Sequence, residues 1–486
     1  MKRQSTPVSR GNGTGLMSAP IRALMSSDPS TIAPGESVRE AARRMRERNI
    51  SCLPVCRERA LVGIVTLRDL RDKVVADDLS GDTPVEAVMS RDVVSVPVDG
   101  TGFDALLLMS RKGVAHLPVH DDGRLVGIVT NTDFLRKQTA SAVYMASDIG
   151  KCDSVDGIAA VVARVPELLL HLVDSGAHAE QIGHLVSAIS DAATRRLLAL
   201  ARSRLGAPPI DWAWLACGSQ GREEQSGVSD QDNCLILSDD FDAQAHGAYY
   251  EALARFVNDG LNASGYAYCP GEMMASNPRW RQPLATWRHY FRSWIEQPEP
   301  MAQMLASVMF DLRVIDGNPA LHGDLQRQSL ERARGNGIFV AHMVSNSLTH
   351  RPPLGLFGGL SIARRGEHAG TVDLKLGGVV PITDIARVFA LSAASPALNT
   401  WARLRAARGA GLLSESGSRD LLDAFGFIAD TRLRHQAEQA RRGEKPDNHL
   451  APSELSGLER RHLRDAFRVV KTIQASLSSR HQIGAR

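Results

Sequence analysis

"CGSQGREEQSGVSDQDNCLIL" spans residues 217–237 and follows the apolar stretch "WAWLA", while its own end, "NCLIL", is apolar again. Between these two strand-like segments lie three glycines, two adjacent glutamates and two aspartates one residue apart. A chain that leaves one buried strand and turns through glycine can aim backbone amides and a hydroxyl at an anion, here from Gly218 and Ser219. Asp230 and Asp232 flank a single residue at the start of the second strand, so their side chains share a face. Two carboxylates on one face repel each other unless a cation lies between them. Magnesium is the natural candidate, because it takes carboxylate and phosphate oxygens together. The plain alternative is a glycine-rich surface loop with solvated acids. The spacing and the flanking strands weigh against it.

The rest of the chain sets the context. With 486 residues, two to four domains are expected. A hydrophobic content of 43% with 23% charged residues is that of ordinary globular protein. The net charge of +3 is too small and too dispersed to suggest a nucleic-acid partner. The six cysteines form neither a CxxC pair nor a disulfide-like framework, which fits a reducing cytosol. No apolar run approaches the length that spans a bilayer, so no membrane partner is expected. Residues 1–15 carry basic charge and turn formers without an apolar core, which reads as a disordered leader and leaves a cytoplasmic location by default.

Residues 20–70 and 84–134 repeat each other at an offset of 64 residues: "LVGIVTLRD" (61–69) returns as "LVGIVTNTD" (125–133), and Met25 returns as Met89. Ser37 and Glu40 form a capping box ahead of the helical spacing Val38, Ala41, Ala42 and Met45. "CLPV" and "LVGIVT" read as short buried strands. These residues resemble a tandem pair of CBS domains, two β-α-β-β-α units about a pseudo-twofold axis. The resemblance implies an adenine nucleotide as regulatory ligand, with Thr66, Asp69, Thr130 and Asp133 as its candidate partners. An ionised aspartate can accept both hydrogen bonds of a ribose diol, and a threonine hydroxyl can hold a sugar or phosphate oxygen. The same Thr-x-x-Asp pattern is also a helix N-cap with an acidic third residue, which alone would explain both copies. A homodimer through this module, which spans residues 16–140, is expected.

Residues 141–209 read as a helical connector ending at Ala207-Pro208-Pro209, either a plain link or a carrier of movement. Beyond it, "GSQGREEQSGVSDQDN" resembles the polymerase-beta-type nucleotidyltransferase superfamily, and more closely the family related to the bacterial PII-protein uridylyltransferase. "YCPGEMMASNPRWRQPLATW" (268–287), "FDLRVIDG" (310–317) and "DLKLGGVVPITDIARVFAL" (373–391) extend the likeness. The fold expected is thus multidomain α/β plus all-α, with a nucleotidyltransferase domain at 210–300 and a helical bundle at 301–486. By this resemblance Asp230 and Asp232 are catalytic and bind magnesium at a two-metal site. Gly218, Ser219 and Arg222 hold the triphosphate, and Glu223 supports them. Lys375 and Arg387 are candidates to face the cleft. The third carboxylate usual in the superfamily has no clear place; Glu272 and Asp311 are the candidates.

Two functions follow. One is a magnesium-dependent transfer of a nucleoside monophosphate from a nucleoside triphosphate to a protein or small-molecule acceptor, as in a uridylyl- or adenylyltransferase, tuned by the CBS pair. The other is a non-catalytic nucleotide sensor with a degenerate transferase site.

Overall fold

The computed structural model describes residues 20–58, 60–130, 133–134, 142–227, 229–297, 299–355, 359–363 and 365–481. The expected leader at 1–15 lies outside them. The chain divides into two compact units between Tyr144 and Met145.

In the first unit, α1 (Val38–Arg48) starts at Ser37, whose hydroxyl accepts from the Glu40 amide, and buries Val38, Ala41 and Met45. The hairpin β1 (Cys52–Arg57) with β2 (Ala60–Thr66) follows, then α2 (Gly102–Lys112) and the second hairpin, β3 (His116–Asp121) with β4 (Arg124–Thr130). The two hairpins have the same register 64 residues apart, Cys52 facing Thr66 and His116 facing Thr130, each with one irregularity at the same place. They join through Ala60 and Arg124, so the order is β1-β2-β4-β3. Each repeat also lends a residue to the other. Met25 packs its sulfur where a side chain on Gly127 would lie, and Met89 does the same over Gly63. The glycine of "GIVT" is therefore there for close approach, not for turning.

The second unit begins with short helices and then α3 (Ala179–Leu205). Its sheet contains β5 (Trp212–Ala216) and β6 (Asn233–Leu237), every residue of both being buried. Helix α4 (Ala243–Ala263) follows, and β7 (Arg281–Pro283) and β8 (Arg313–Gly317) complete the order β8-β5-β6-β7. Only β6 and β7 are parallel. Helix α5 (Leu284–Glu296) leads into the helical region, whose last members are α6 (Val380–Ala393), α7 (Thr400–Gly409), α8 (Glu415–Arg441) and α9 (Gly457–Arg480).

Three sequence expectations change here. The helix at 179–205 is no plain link: it packs on α4 closely enough that a Cβ on Gly260 would strike Leu197. A boundary at 300 would cut β8 away from the sheet it edges. And one segment, Lys375–Ala393, does have the length and apolarity of a membrane span, but most of it is buried inside the fold, as in the core helix of a globular protein.

Candidate active site

The chain leaves β5 at Ala216 and turns sharply. Gly218 has φ +59° and begins a four-residue helix, Gly218–Gly221. Two approaches make glycine necessary. A Cβ on Gly218 would sit 2.7 Å from Asp232 Oδ2, and one on Gly221 would run into the Asp311 carbonyl oxygen and lie 2.9 Å from that of Ala216. Backbone on both sides of Gly221 cannot yield. Gly221→Ala is expected to destabilise the second unit by about 1–3 kcal/mol, as overpacking does, read as a lower midpoint in denaturant unfolding.

The segment that carries Asp230 and Asp232 is fixed by the residues between and after them. Gln231 and Asn233 point the other way and are buried. The Gln231 amide donates to the carbonyls of Asn258 and Tyr266, each at 3.0 Å. Asn258 Nδ2 donates to Gln231 Oε1 at 2.7 Å and to Asn233 Oδ1 at 2.9 Å. This buried amide network fixes the strand's rotation, and a one-residue slip would bury both aspartates. Asp232 is tied to the turn as well, since its carbonyl accepts from the Cys217 amide at 3.0 Å. Burial pushes the Asp232 carboxyl above its usual range and the Asp230 charge adds to this, while the Cys269 thiol, Arg222 and Lys375 pull it back. A partly buried carboxyl raised by a like charge is a group that a cation would relieve.

Asp311, one candidate for the third carboxylate, is committed elsewhere. It is fully buried and paired with three arginines. Arg222 and Arg387 each reach Oδ2 at 2.7 Å, and Arg403 reaches Oδ1 at 2.7 Å. Burial alone would raise this carboxyl, but Arg387, Arg403 and Arg222 hold it far below the usual carboxylate range. Its oxygens are spent joining the glycine turn to α6 and α7. Glu272, the other candidate, sits exposed on a turn at φ +52°. Among the described residues no three His, Cys, Asp or Glu side chains are gathered to hold a metal. Asp230 and Asp232 are the carboxylates here that would hold a hard divalent cation, with its remaining positions left to substrate oxygens and water.

Arg222 is likewise less free than the sequence suggests. Its Nε is bonded to Glu224 at 2.9 Å and its Nη1 to Asp311. It lines the cavity, but as half of an internal ion pair. Glu223, at φ +58°, reaches His184 at 3.0 Å and Arg313 at 3.7 Å. Glu224 holds Arg222 and accepts from the Thr400 amide at 2.5 Å. A further brace comes from α3. Asp191 receives both Nη groups of Arg313, at 2.7 and 2.9 Å, and Arg313 donates to the carbonyls of Gln220 at 2.9 Å and Gly221 at 3.3 Å. Nothing in the sequence pattern marks Asp191, since it lies in a long helix with no motif around it.

Gly218, Ser219 and Arg222 form one wall of a cavity of about 380 Å³, and α6, α7 and α8 form the opposite wall with Lys375 and Arg387 among its residues. Lys375 is exposed. Arg387 is not available, being locked to Asp311 and to Asp384 at 2.5 Å. The chamber has a charged end at the glycine turn and a largely apolar body beyond it, and neither Asp230 nor Asp232 is among the residues that line it.

The first unit holds two clefts, of about 440 and 300 Å³, the larger lined by Thr130 and Asp133 and the smaller by Thr66 and Asp69. The capping reading is realised in both copies. Thr66 Oγ1 donates to Asp69 Oδ2 at 2.7 Å and accepts from the Asp69 amide at 3.2 Å, and Thr130 with Asp133 does the same at the same distances. Asp69 is further paired with Lys73 at 2.7 Å.

Comparison with known proteins agrees with this division. A family model for the CBS domain matches residues 21–76 and 85–139. "Putative nucleotidyltransferase DUF294" matches 163–301, and "Putative nucleotidyltransferase substrate binding domain" matches 337–481. The CBS domain-containing protein YhcV of Bacillus subtilis is 32% identical over 121 residues, 25% of this chain and 86% of that protein. The A-adding tRNA nucleotidyltransferase of Aquifex aeolicus is 32% identical over 117 residues, 24% of this chain but 14% of that enzyme. A solved CBS domain pair, that of protein MJ0100 with 5′-methylthioadenosine and S-adenosyl-L-methionine, is 30% identical and covers 25% of this chain and 95% of its own, with a TM-score of 0.23. The match of the nucleotidyltransferase model from residue 163 includes α3, in keeping with the brace that α3 supplies to the turn.

Proposed function

We infer, from a chain that belongs to the CBS-domain-containing proteins and joins its CBS pair to a DUF294 nucleotidyltransferase domain and that domain's substrate-binding partner, that it transfers a nucleoside monophosphate from a nucleoside triphosphate to an acceptor. One observation carries the reading: the Asp232 carboxylate, on a segment aligned by a buried amide network, lies against the glycine turn that lines the chamber.

In this account the triphosphate lies along Gly218 and Ser219, with Lys375 opposite. A magnesium ion on Asp230 and Asp232 would neutralise phosphate charge and orient the α-phosphorus. The acceptor's nucleophile attacks the α-phosphorus in line, forming the new P–O or P–N bond as the bond to pyrophosphate breaks. Arg222 adds positive potential from behind the turn without forking a phosphate. Adenine nucleotides in the clefts of the CBS pair would tune the rate, and a homodimer through that pair is the assembly this reading includes.

The test is pyrophosphate release from ATP, UTP, GTP and CTP by the full chain, with and without magnesium. Release that requires the metal supports transfer. Nucleotide binding without any release would favour the sensor, to which the commitment of Asp311 elsewhere lends its weight.

The raised carboxyl at Asp232 sets a pH dependence. A folded-state pKa above the unfolded one favours the protonated folded form, and that contribution is lost as pH rises through the folded value. A cation binds the ionised form, so affinity for manganese, a spectroscopic stand-in, is expected to climb as pH rises through the raised pKa and to level off above it. Asp232→Asn is expected to flatten the curve in a titration followed by manganese electron paramagnetic resonance.

A further inference from the structure

Three arginines line the chamber, and they are not alike. Arg222 is paired with Asp311 and Glu224, and Arg387 with Asp311 and Asp384. Arg432, on α8, has no carboxylate within ion-pair distance among the described residues. It is held through Nε alone, which donates to Asn448 Oδ1 at 2.6 Å. That bond orients the guanidinium and leaves the two Nη groups, the ends of the fork, without a protein partner among the described residues. Arg432 also borders a second cavity of about 350 Å³, which shares Ser226, Ser229 and Leu433 with the first. The surfaces around it are apolar: Trp401, Phe425 and Leu433 on the chamber side, Leu169 and Val173 on the other.

From this geometry, and resting on the transferase reading above, we propose that the acceptor is an anionic molecule with an apolar body, and that Arg432 holds its carboxylate or phosphate. A planar fork with both ends open is suited to bidentate binding of such a group. The acids of the chamber do not oppose this, since Glu224 and Asp384 are each bonded to an arginine. Burial lowers the Arg432 pKa to about 10, with Asp373 the one carboxylate that offsets it. An anion would relieve that cost.

The same fork could hold a phosphate of the nucleotide instead, and the test separates the two. The probes are 4-phenylbutyrate and its neutral amide, titrated calorimetrically into the full chain, alone and with metal–nucleotide present. The acid is expected to bind about 10- to 100-fold more tightly than the amide, the range a charge-assisted hydrogen bond supplies. Arg432→Gln is expected to erase that preference, Arg432→Lys to keep part of it, and both to bind metal–nucleotide as the unchanged protein does. Equal binding of acid and amide, no binding of either, or an acid preference that survives in Arg432→Gln would overturn the proposal. So would competition between the acid and the nucleotide, which would assign the fork to the nucleotide's phosphate. Arg432→Lys guards against a folding defect in the glutamine variant. Failure of the transferase reading looks different: no metal-dependent nucleotide binding in any of the proteins, with the acid preference still tied to Arg432.

Discussion

Asp311→Ala is expected to destabilise the second unit by about 3–5 kcal/mol, the cost of removing one partner from a buried ion-pair cluster. The carboxylate is fully buried, and the three guanidinium groups around it come from the glycine turn, α6 and α7. Without it, three cations would face one another in the interior with only Glu224 and Asp384 as partners. Asp311→Asn keeps the shape but not the charge, and is expected to lose most of the same stability. The measurement is denaturant unfolding of the full chain, with the transition of the CBS unit as internal reference. An unchanged midpoint for the second unit would mean that the cluster contributes nothing net. The pH dependence follows from the depressed carboxyl. Its contribution is complete above the ordinary aspartate range, near pH 4, and is lost progressively as pH falls from there through the much lower folded value. Mild acid should therefore leave the cluster intact.

Asp232→Asn is expected to abolish magnesium-dependent pyrophosphate release, by more than the ~10- to 100-fold that loss of an outer-shell partner costs at a metal site. The substitution keeps the strand, because that is set by Gln231, Asn233 and Asn258 and by the Cys217 amide bonded to the Asp232 carbonyl. It removes the charge that the proposed cation site requires. Asp230→Asn is expected to act in the same direction but more weakly, since Asp230 is exposed and its partner is held against the turn. The check is release measured at saturating magnesium, with unfolding midpoints to show that each variant is folded. Release undiminished in Asp232→Asn would remove the carboxylate pair from the chemistry.

Much of this was legible in the sequence, for identifiable reasons. The repeat announced itself because a duplicated strand pair keeps its glycine and its cap, and both proved to have local causes: Met25 over Gly127 and Met89 over Gly63, and the Thr66–Asp69 and Thr130–Asp133 boxes. The glycine turn between two buried strands was legible because strand patterns and turn residues are short-range rules. What could not be read were the long-range partners. Asp311 looks like a free acid until Arg387 and Arg403, 76 and about 90 residues later, are folded onto it. Arg222 looks like a phosphate fork until the same cluster claims it. Of the adjacent glutamates, Glu224 holds Arg222 directly, whereas φ +58° at Glu223 sends its side chain to His184 and Arg313. Sequence alone passed over Lys375–Ala393 as too short to span a bilayer; it has that length, and most of it is buried.

The central claim is that Asp230 and Asp232, with the glycine turn, form a metal–triphosphate site, and it can be tested without knowing the acceptor. The measurement is calorimetric titration of the full chain with each nucleoside triphosphate, with and without magnesium, against the Asp230→Asn/Asp232→Asn double variant. Any binding to the CBS clefts is common to both proteins and cancels in the difference. The account predicts one additional site per chain, present only with magnesium and only when both acids are intact. Superimposable isotherms for the two proteins, with every nucleotide, would contradict it.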